Sequence, residues 1–146
     1  MMRIKDLMTN HAEWIEASTP LRDASRTLRD KNIGCLPVGE NDRLIGMITD
    51  RDICCRGVAD GLDPDKATAR DAMTDGVVWC YDDQTDKDAA ELMEKNGIRH
   101  LPVLNRKKRI VGVLSLGDLA FRAGKSLTAD VIHLVSRDAE RHAKSA

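Results

Sequence analysis

The chain has 146 residues and a mass of 16.2 kDa, which is the size of one ordinary domain. Hydrophobic residues make up 42% of it but aromatic residues only 3%, which predicts an aliphatic core and excludes an aromatic platform for single-stranded nucleic acid. The formal net charge of −1 offers no general attraction for a polyanion, so DNA and RNA are not expected partners.

The first residues lack the apolar segment of a secretory signal, and no apolar run reaches the length of a membrane helix. We therefore expect a cytoplasmic protein with no membrane partner. The four cysteines form no CxxC pair and the four histidines lie on separate predicted elements, so we expect free, mostly buried thiols and no metal site. Of the adjacent Cys54 and Cys55, we expect one thiol to be buried and the other to be half-exposed.

The sequence contains an internal repeat. Ile33–Val38 matches Ile98–Val103 after 65 positions, and Gly46–Ile53 matches Gly112–Leu119 after 66 positions. The extra residue of the second copy falls in a turn, where changes of length are tolerated. A unit of about 60 residues is marginal alone, so we expect the two copies to pack together about a pseudo-two-fold axis.

Each copy predicts, in chain order, a short extended run, a helix, a two-stranded hairpin and a second helix, which is a β-α-β-β-α order. The predicted elements of the first copy are Trp14–Ala17, Leu21–Lys31, Leu36–Gly39, Arg43–Thr49 and Asp50–Ala59. Those of the second copy are Val77–Tyr81, Thr85–Asn96, Leu101–Leu104, Arg109–Leu114 and Leu116–Ala123, and a last helix is predicted over Leu127–His142. The predicted divisions are a first repeat with its connector over 1–66, a second repeat over 67–124 and a helical tail over 125–146.

Thr49-x-x-Asp52 recurs as Ser115-x-x-Asp118, in each copy where a buried strand runs into a helix. Taken alone, this spacing is typical of a capping box, in which the hydroxyl and the acid bond to the backbone of the first helical turn. Two features favour a ligand instead: the acid is Asp rather than the longer Glu, and the motif occupies equivalent positions in both copies. A hydroxyl at a helix start suits a phosphate, and a carboxylate accepts hydrogen bonds from the two hydroxyls of a ribose.

The two copies, each with h-x-x-h-P-V followed by G-h-h-[ST]-x-x-D, resemble a pair of cystathionine-β-synthase (CBS) domains over residues 3–124. The resemblance implies an α/β (α+β) fold of two tandem CBS repeats, known as a Bateman module, with the predicted C-terminal helix added. It also implies two clefts between the repeats that bind an adenosine-containing ligand, such as AMP, ADP, ATP, NAD(H) or S-adenosylmethionine. It further implies a homodimer that regulates a separate effector protein, without catalysis and without a required cofactor.

The resemblance, carried over residue by residue, assigns side chains to each cleft. The first cleft takes Thr49, Arg51, Asp52, Gln84, Ala89, Ile98, Arg99 and His100. The second cleft takes Thr19, Ala24, Ile33, Gly34, Cys35, Ser115, Gly117 and Asp118. Only the first set contains cations, and charge-assisted contacts are stronger than neutral ones, so we expect phosphorylated ligands to prefer the first cleft. Asp52→Ala is then expected to weaken their binding more than Asp118→Ala.

Two other functions stay open at this point. One is a metal- or thiol-redox-responsive protein that uses the four cysteines. The other is a structural dimer whose clefts no longer bind a ligand, an alternative that the glycines at 34 and 117 leave open. An enzyme is the least supported class, because no motif pairs a nucleophile with a base.

Overall fold

The structure is a computed structural model that describes residues 1–10, 13–122, 129, 130, 132, 133 and 136. Its helices and strands, in chain order, are α1 (Ile4–Leu7), β1 (Thr9–Asn10), β2 (Ile15–Glu16), α2 (Leu21–Lys31), β3 (Cys35–Glu40), β4 (Arg43–Thr49), α3 (Asp50–Asp52) with a π-helical continuation (Ile53–Val58), α4 (Ala69–Ala72), β5 (Thr74–Asp75), β6 (Cys80–Tyr81), α5 (Asp86–Asn96), β7 (His100–Leu104), β8 (Ile110–Ser115) and α6 (Leu116–Arg122). The predicted helix over Leu127–His142 lies outside the described residues, apart from isolated positions.

The described chain divides into two compact units. One is Glu13–Val77, with a sheet in the order β2-β3-β4-β5. The other joins the described residues of Met1–Ala12 to those of Val78–Ala146, with a sheet in the order β1-β8-β7-β6. Each unit carries the predicted β-α-β-β-α order, and this α+β arrangement confirms the predicted fold class.

Each sheet also contains a short strand that the sequence did not predict. β5 pairs antiparallel with β4, so the start of the second repeat completes the sheet of the first. β1 pairs antiparallel with β8, so the start of the first repeat completes the sheet of the second. The compact units therefore follow other boundaries than 1–66 and 67–124. The physical reason is burial: Ile4, Leu7 and Met8 belong to the core that contains β7 and β8.

Both cores are aliphatic, as predicted from the composition. The unit of Glu13–Val77 buries Ala17, Leu21, Leu28, Leu36, Val38, Ile48, Ala67, Ala69 and Ala72. The other unit buries Ile4, Leu7, Met8, Cys80, Ala89, Ala90, Met93, Leu101, Val103, Leu114 and Leu119. Because the first helices place apolar side chains at helical spacing, α2 and α5 cover one face of their sheets.

The two first helices end in the same way with different residues. Gly97 ends α5 in the left-handed conformation at φ 62°, where a glycine has no steric penalty. Its equivalent in the first copy is Asn32, which ends α2 at φ 53°. Asn32 therefore supplies the left-handed residue at the end of α2. Among the described residues, no helix is both long and apolar enough to cross a membrane.

The glycine of the G-h-h-[ST]-x-x-D motif permits the short strands to approach. A Cβ atom on Gly112 would lie 2.7 Å from the Thr9 carbonyl oxygen, and one on Gly46 would lie 2.7 Å from the Thr74 carbonyl oxygen. In both cases the neighbour is backbone, which cannot turn aside as a side chain can. The motif therefore begins with Gly because a strand from the other repeat passes there.

We predict that Gly112→Ala lowers the free energy of unfolding by about 1–3 kcal/mol, the usual range for overpacking a close contact. Chemical denaturation of the wild type and the variant measures this difference. Gly34→Ala is the matched control, because its Cβ would lie 3.8 Å from the nearest atom, at Asp50. Equal stability of both variants would contradict the role given to Gly112.

Candidate functional site

The first hydroxyl–acid motif lies where β4 runs into α3. The Thr49 side-chain oxygen accepts a hydrogen bond from the Asp52 N–H at 3.0 Å, and Asp52 Oδ2 accepts one from the Thr49 N–H at 3.0 Å. The Asp52 side chain is 14% exposed. These reciprocal bonds form a capping box, so the local interpretation of the spacing is confirmed for this motif.

The second motif has the same geometry where β8 runs into α6. Ser115 Oγ accepts from the Asp118 N–H at 3.0 Å, and Asp118 Oδ2 accepts from the Ser115 N–H at 2.8 Å. Both side chains are half-buried. The box uses Oδ2 of each acid, and Oδ1 takes no part in it.

Two further helix starts among the described residues carry the same spacing. The Thr68 N–H donates to Asp71 Oδ2 at 2.8 Å, and the Thr85 N–H donates to Asp88 Oδ2 at 3.0 Å. Asp is therefore a regular third residue of the helix in this chain. The expectation that its short side chain argues against a capping box was wrong, and the sequence already contained the signal in T-x-x-D at 68 and 85.

The two motifs at the ends of the hairpins differ from each other in the residues of the strand that pairs with them. His100 lies opposite Ser115 in the β7–β8 register, and the Arg99 carbonyl accepts a hydrogen bond from the Leu116 N–H at 2.8 Å. Arg99 is exposed and His100 is half-buried. The hairpin thus sets His100 opposite Ser115 within one unit. The assignment of Arg99 and His100 to the first cleft, with Thr49 and Asp52, stays a prediction.

The equivalent strand end of the other unit carries no cation. Cys35 lies opposite Thr49 in the β3–β4 register, and the Gly34 carbonyl accepts from the Asp50 N–H at 3.2 Å. Ile33, which is 39% exposed, precedes them. These residues therefore lie beside Thr49 within one unit, although they were assigned to the cleft of Ser115 and Asp118.

The other predicted site residues lie at the starts of the first helices or near their ends. Ala24 on α2 and Ala89 on α5 are fully buried. Gln84 accepts the Tyr81 N–H on its side-chain oxygen at 2.8 Å, which ties it into the turn before α5. The Thr19 carbonyl accepts the Ala69 N–H at 2.8 Å, and the half-buried Ile98 follows α5.

Four residues after each acid stands an arginine that sequence reasoning missed. Arg56 donates from Nη1 to the Met73 carbonyl at 2.9 Å, and its Nη2 lies 3.9 Å from Asp52 Oδ1. Arg122 donates from Nη1 to the Asp6 carbonyl at 3.1 Å. Both arginines thus hold the segment that the other repeat contributes to the unit. Their shared spacing from the acid was the available signal.

Each unit has a pocket near its motif. The larger, about 610 Å³, is lined by Ser115, Gly117, Asp118, Phe121 and Arg122. The smaller, about 300 Å³, is lined by Ser25, Leu28, Arg29, Ile33, Asp50 and Ile53. The larger pocket thus contains the hydroxyl and the acid of its motif, whereas the smaller one lies beside its motif, and the exposed Arg51 is not part of its lining.

The cysteines fall into two classes. Cys35 and Cys80 are buried, and burial raises the pKa of Cys35 to about 11 and that of Cys80 to about 12, with a smaller contribution from a neighbouring aspartate in each case. Both thiols therefore stay protonated at neutral pH, which makes them poor nucleophiles and poor metal ligands.

Cys54 and Cys55 are both exposed, so the expectation of one buried thiol was wrong. They lie in the π-helical segment, where a turn holds more residues than in an α-helix and neighbouring side chains diverge less. In the same segment, Ile53 packs against the core that contains Leu21, and a Cβ atom on the buried Gly57 would lie 3.2 Å from Leu21. Within the described ranges, no three His, Cys, Asp or Glu side chains are grouped so that they could hold a metal ion.

Comparison with known proteins agrees with the repeat and the fold. The family model of the CBS domain matches the chain twice, over residues 4–56 and 69–124. Hypoxic response protein 1 of Mycobacterium tuberculosis is 34% identical over 121 residues, which cover 82% of this chain and 84% of that protein.

Solved structures give the same result. The crystal structure of Hypoxic Response Protein I with two coordinated zinc ions has a TM-score of 0.77 and 31% identity, covering 84% of this chain and 100% of that one. CBS domain protein PAE2072 from Pyrobaculum aerophilum, complexed with AMP, has a TM-score of 0.74 and 25% identity, covering 90% and 99%. The CBS domain pair of protein MJ0100, in complex with 5-methylthioadenosine and S-adenosyl-L-methionine, has a TM-score of 0.74 and 25% identity, covering 84% and 100%. The family resemblance inferred from the motifs is confirmed.

We predict that a thiol reagent at neutral pH modifies Cys54 and Cys55 quickly and leaves Cys35 and Cys80 protected in the folded protein. Mass spectrometry of the modified peptides checks this prediction. Denatured protein is the control and should react at all four cysteines. Because the raised pKa values keep the buried thiols neutral, their protection should persist as the pH rises until it approaches about 11. Equal rates for all cysteines of the folded chain would contradict this assignment.

Proposed function

The chain belongs to the CBS-domain family as a pair of CBS domains, and from this premise we propose that it binds an adenosine-containing ligand and regulates a separate protein. CBS pairs that stand alone are generally regulatory and non-enzymatic, and neither the family match nor the similar proteins indicate a catalytic activity. The observation that carries the proposal is a half-buried acid, with a facing hydroxyl, at the end of each central hairpin.

The ligand class is supported by what the similar proteins bind. PAE2072 is complexed with AMP, and MJ0100 with 5-methylthioadenosine and S-adenosyl-L-methionine. These three ligands have adenosine in common and differ in the group attached to the ribose. A carboxylate can accept hydrogen bonds from the adjacent hydroxyls of that ribose, and we propose Asp52 and Asp118 for this role through the oxygen that the capping box does not use.

The group attached to the ribose is proposed to meet different surroundings at the two motifs. Ser115 faces His100 across the hairpin, so a hydroxyl and an imidazole there can both donate hydrogen bonds to a phosphate. Thr49 faces Cys35 instead. We therefore propose that phosphorylated ligands prefer the motif of Ser115 and Asp118. This order is the reverse of the one expected from the sequence, and the position of His100 opposite Ser115 supports it.

The remaining residues of the predicted clefts stay proposed ligand contacts. They are Thr19, Ala24, Ile33, Gly34, Cys35, Gln84, Ala89, Ile98, Arg51 and Gly117. Ala24 and Ala89 are fully buried, so direct contact with a ligand requires their surroundings to open. An opening of this kind fits a sensor, because a ligand shifts an equilibrium through its different affinity for two conformations. We propose that a cytoplasmic homodimer carries this change to its effector protein.

A response to metal or to thiol oxidation is the second candidate. The exposed Cys54–Cys55 pair favours it, as do the two zinc ions of the similar Hypoxic Response Protein I. Titration of the chain with Zn²⁺, with Cys54→Ser/Cys55→Ser as the control, separates this candidate from a nucleotide sensor. Zinc bound by the wild type and lost in the double variant would support it.

We predict that the wild type binds AMP and that Asp118→Ala weakens this binding about tenfold or more, as expected for loss of a hydrogen bond to a charged group. Asp52→Ala should weaken it less. Calorimetric titration with AMP, ADP, ATP, NADH and S-adenosylmethionine measures both effects and shows which adenosyl ligand is preferred.

The control variant is Asp71→Ala, which removes the same type of capping box at Thr68 and lies outside both predicted ligand sets. All three variants should lose about 1 kcal/mol of unfolding free energy, whereas only two should lose ligand affinity. Absence of binding to every ligand by the wild type would contradict the proposed function. A larger loss in Asp52→Ala than in Asp118→Ala would contradict the proposed preference of phosphorylated ligands for the motif of Ser115 and Asp118.

A further inference from the structure

Phe121 is exposed in a way that the other aromatic residues are not. Its side chain is 93% exposed, whereas Trp79 and Tyr81 contact each other with ring centroids 4.9 Å apart. The Arg106 guanidinium lies 4.0 Å from the Tyr81 ring centroid, and Trp14 packs against the backbone of Gly39. In a chain with only 3% aromatic residues, the one phenylalanine is left in solvent, which is unfavourable unless a partner covers it.

Phe121 lies on the same helix as the acid of the second motif. Residues three apart share one face of an α-helix, so Asp118 and Phe121 on α6 are neighbours about 4.5 Å apart along the helix axis. Both line the pocket of about 610 Å³ that also contains Ser115 and Gly117. A molecule bound to Asp118 in this pocket therefore has the phenyl ring within reach.

The same pocket is also lined by a cation, Arg122. Arg122 donates a hydrogen bond to the Asp6 carbonyl at 3.1 Å, which holds its guanidinium in place while it lines the same pocket. One pocket beside α6 is thus lined by a guanidinium, a carboxylate and an exposed ring, which belong to Arg122, Asp118 and Phe121. This combination matches the three parts of a nucleotide, which are a phosphate, a ribose diol and a flat aromatic base.

We propose that Phe121 stacks on the base of the ligand bound at Asp118 and so determines that this site takes an aromatic base. The inference rests on the proposed function, because it adds a base contact to the same ligand site. Base–aromatic stacking tolerates different bases, since every base has a π face, so Phe121 distinguishes a nucleotide from a sugar phosphate rather than one base from another.

The other motif lacks this ring. The 66-residue offset of the repeat places Cys55 at the position equivalent to Phe121, on the segment that follows Asp52. Both side chains are exposed, so the two positions differ in chemistry rather than in accessibility. Cys55→Ala is consequently a matched control, which removes an exposed side chain from the equivalent place without removing a stacking surface.

The test compares two probes on the wild type and two variants, and a third variant adds a check with AMP. AMP contains the base, whereas ribose 5-phosphate contains only the sugar and the phosphate. Calorimetric titration of the wild type, Phe121→Ala and Cys55→Ala with each probe should show AMP affinity about tenfold weaker in Phe121→Ala, and sugar phosphate affinity unchanged. A tenfold change in the dissociation constant corresponds to about 1.4 kcal/mol, which lies within the range for stacking on one base. Phe121→Trp should retain AMP binding, because it keeps an aromatic face.

The outcomes separate this inference from the function on which it rests. AMP binding by the wild type that Phe121→Ala leaves unchanged overturns the inference and leaves the proposed function intact. Equal weakening of both probes overturns it as well, because the ring would then act on the pocket and not on the base. A change only in the sedimentation of Phe121→Ala would assign the ring to contact with a second copy of the chain. Failure of the wild type to bind any adenosyl ligand overturns both proposals.

Discussion

The exchange of short strands between the repeats is the constraint on which the rest of the structure depends. β1 pairs with β8 and β5 with β4, so neither central hairpin has a complete sheet without the start of the other repeat. The close approach at Gly112 and Gly46 leaves no room for a side chain. Since both hairpins end at a hydroxyl–acid motif, the exchange also fixes the outer edge of the strands that carry the two motifs.

Each motif is tied to the exchanged segment by an arginine of its own helix. Arg56 connects Asp52 to the carbonyl of Met73, and Arg122 connects the helix of Asp118 to the carbonyl of Asp6. A shift of either helix on ligand binding must therefore stretch or move a contact at the edge strand. The contacts form a contiguous physical path from the acid to a part of the chain that belongs to the other repeat in sequence, which is the kind of connection that a sensor requires.

The sequence predicted the elements that local patterns encode and missed those that depend on distant pairing. Hydrophobic spacing and the repeat identified both first helices and both hairpins, because these patterns span few residues. The two-residue strands β1 and β5 have no pattern of their own, since Thr9 and Thr74 become strand residues only through their partners in the other repeat. The register that sets His100 opposite Ser115 is likewise a property of the paired hairpin and not of either strand alone.

The capping boxes show how a binding site can be added to a device that the fold already needs. Four helix starts in the described chain use the same Thr/Ser and Asp pair, and at each one an Asp oxygen accepts a backbone N–H. The box fixes the carboxylate rotamer through one oxygen and leaves the other oriented, so a ligand that binds there need not order the side chain again. The boxes at Thr68 and Thr85 begin helices that do not follow a central hairpin, whereas those at Thr49 and Ser115 stand at the end of a hairpin. All four boxes share the spacing between hydroxyl and acid, so this spacing does not identify a ligand site. The carboxylates with a proposed ligand role are those whose helix follows a paired hairpin strand.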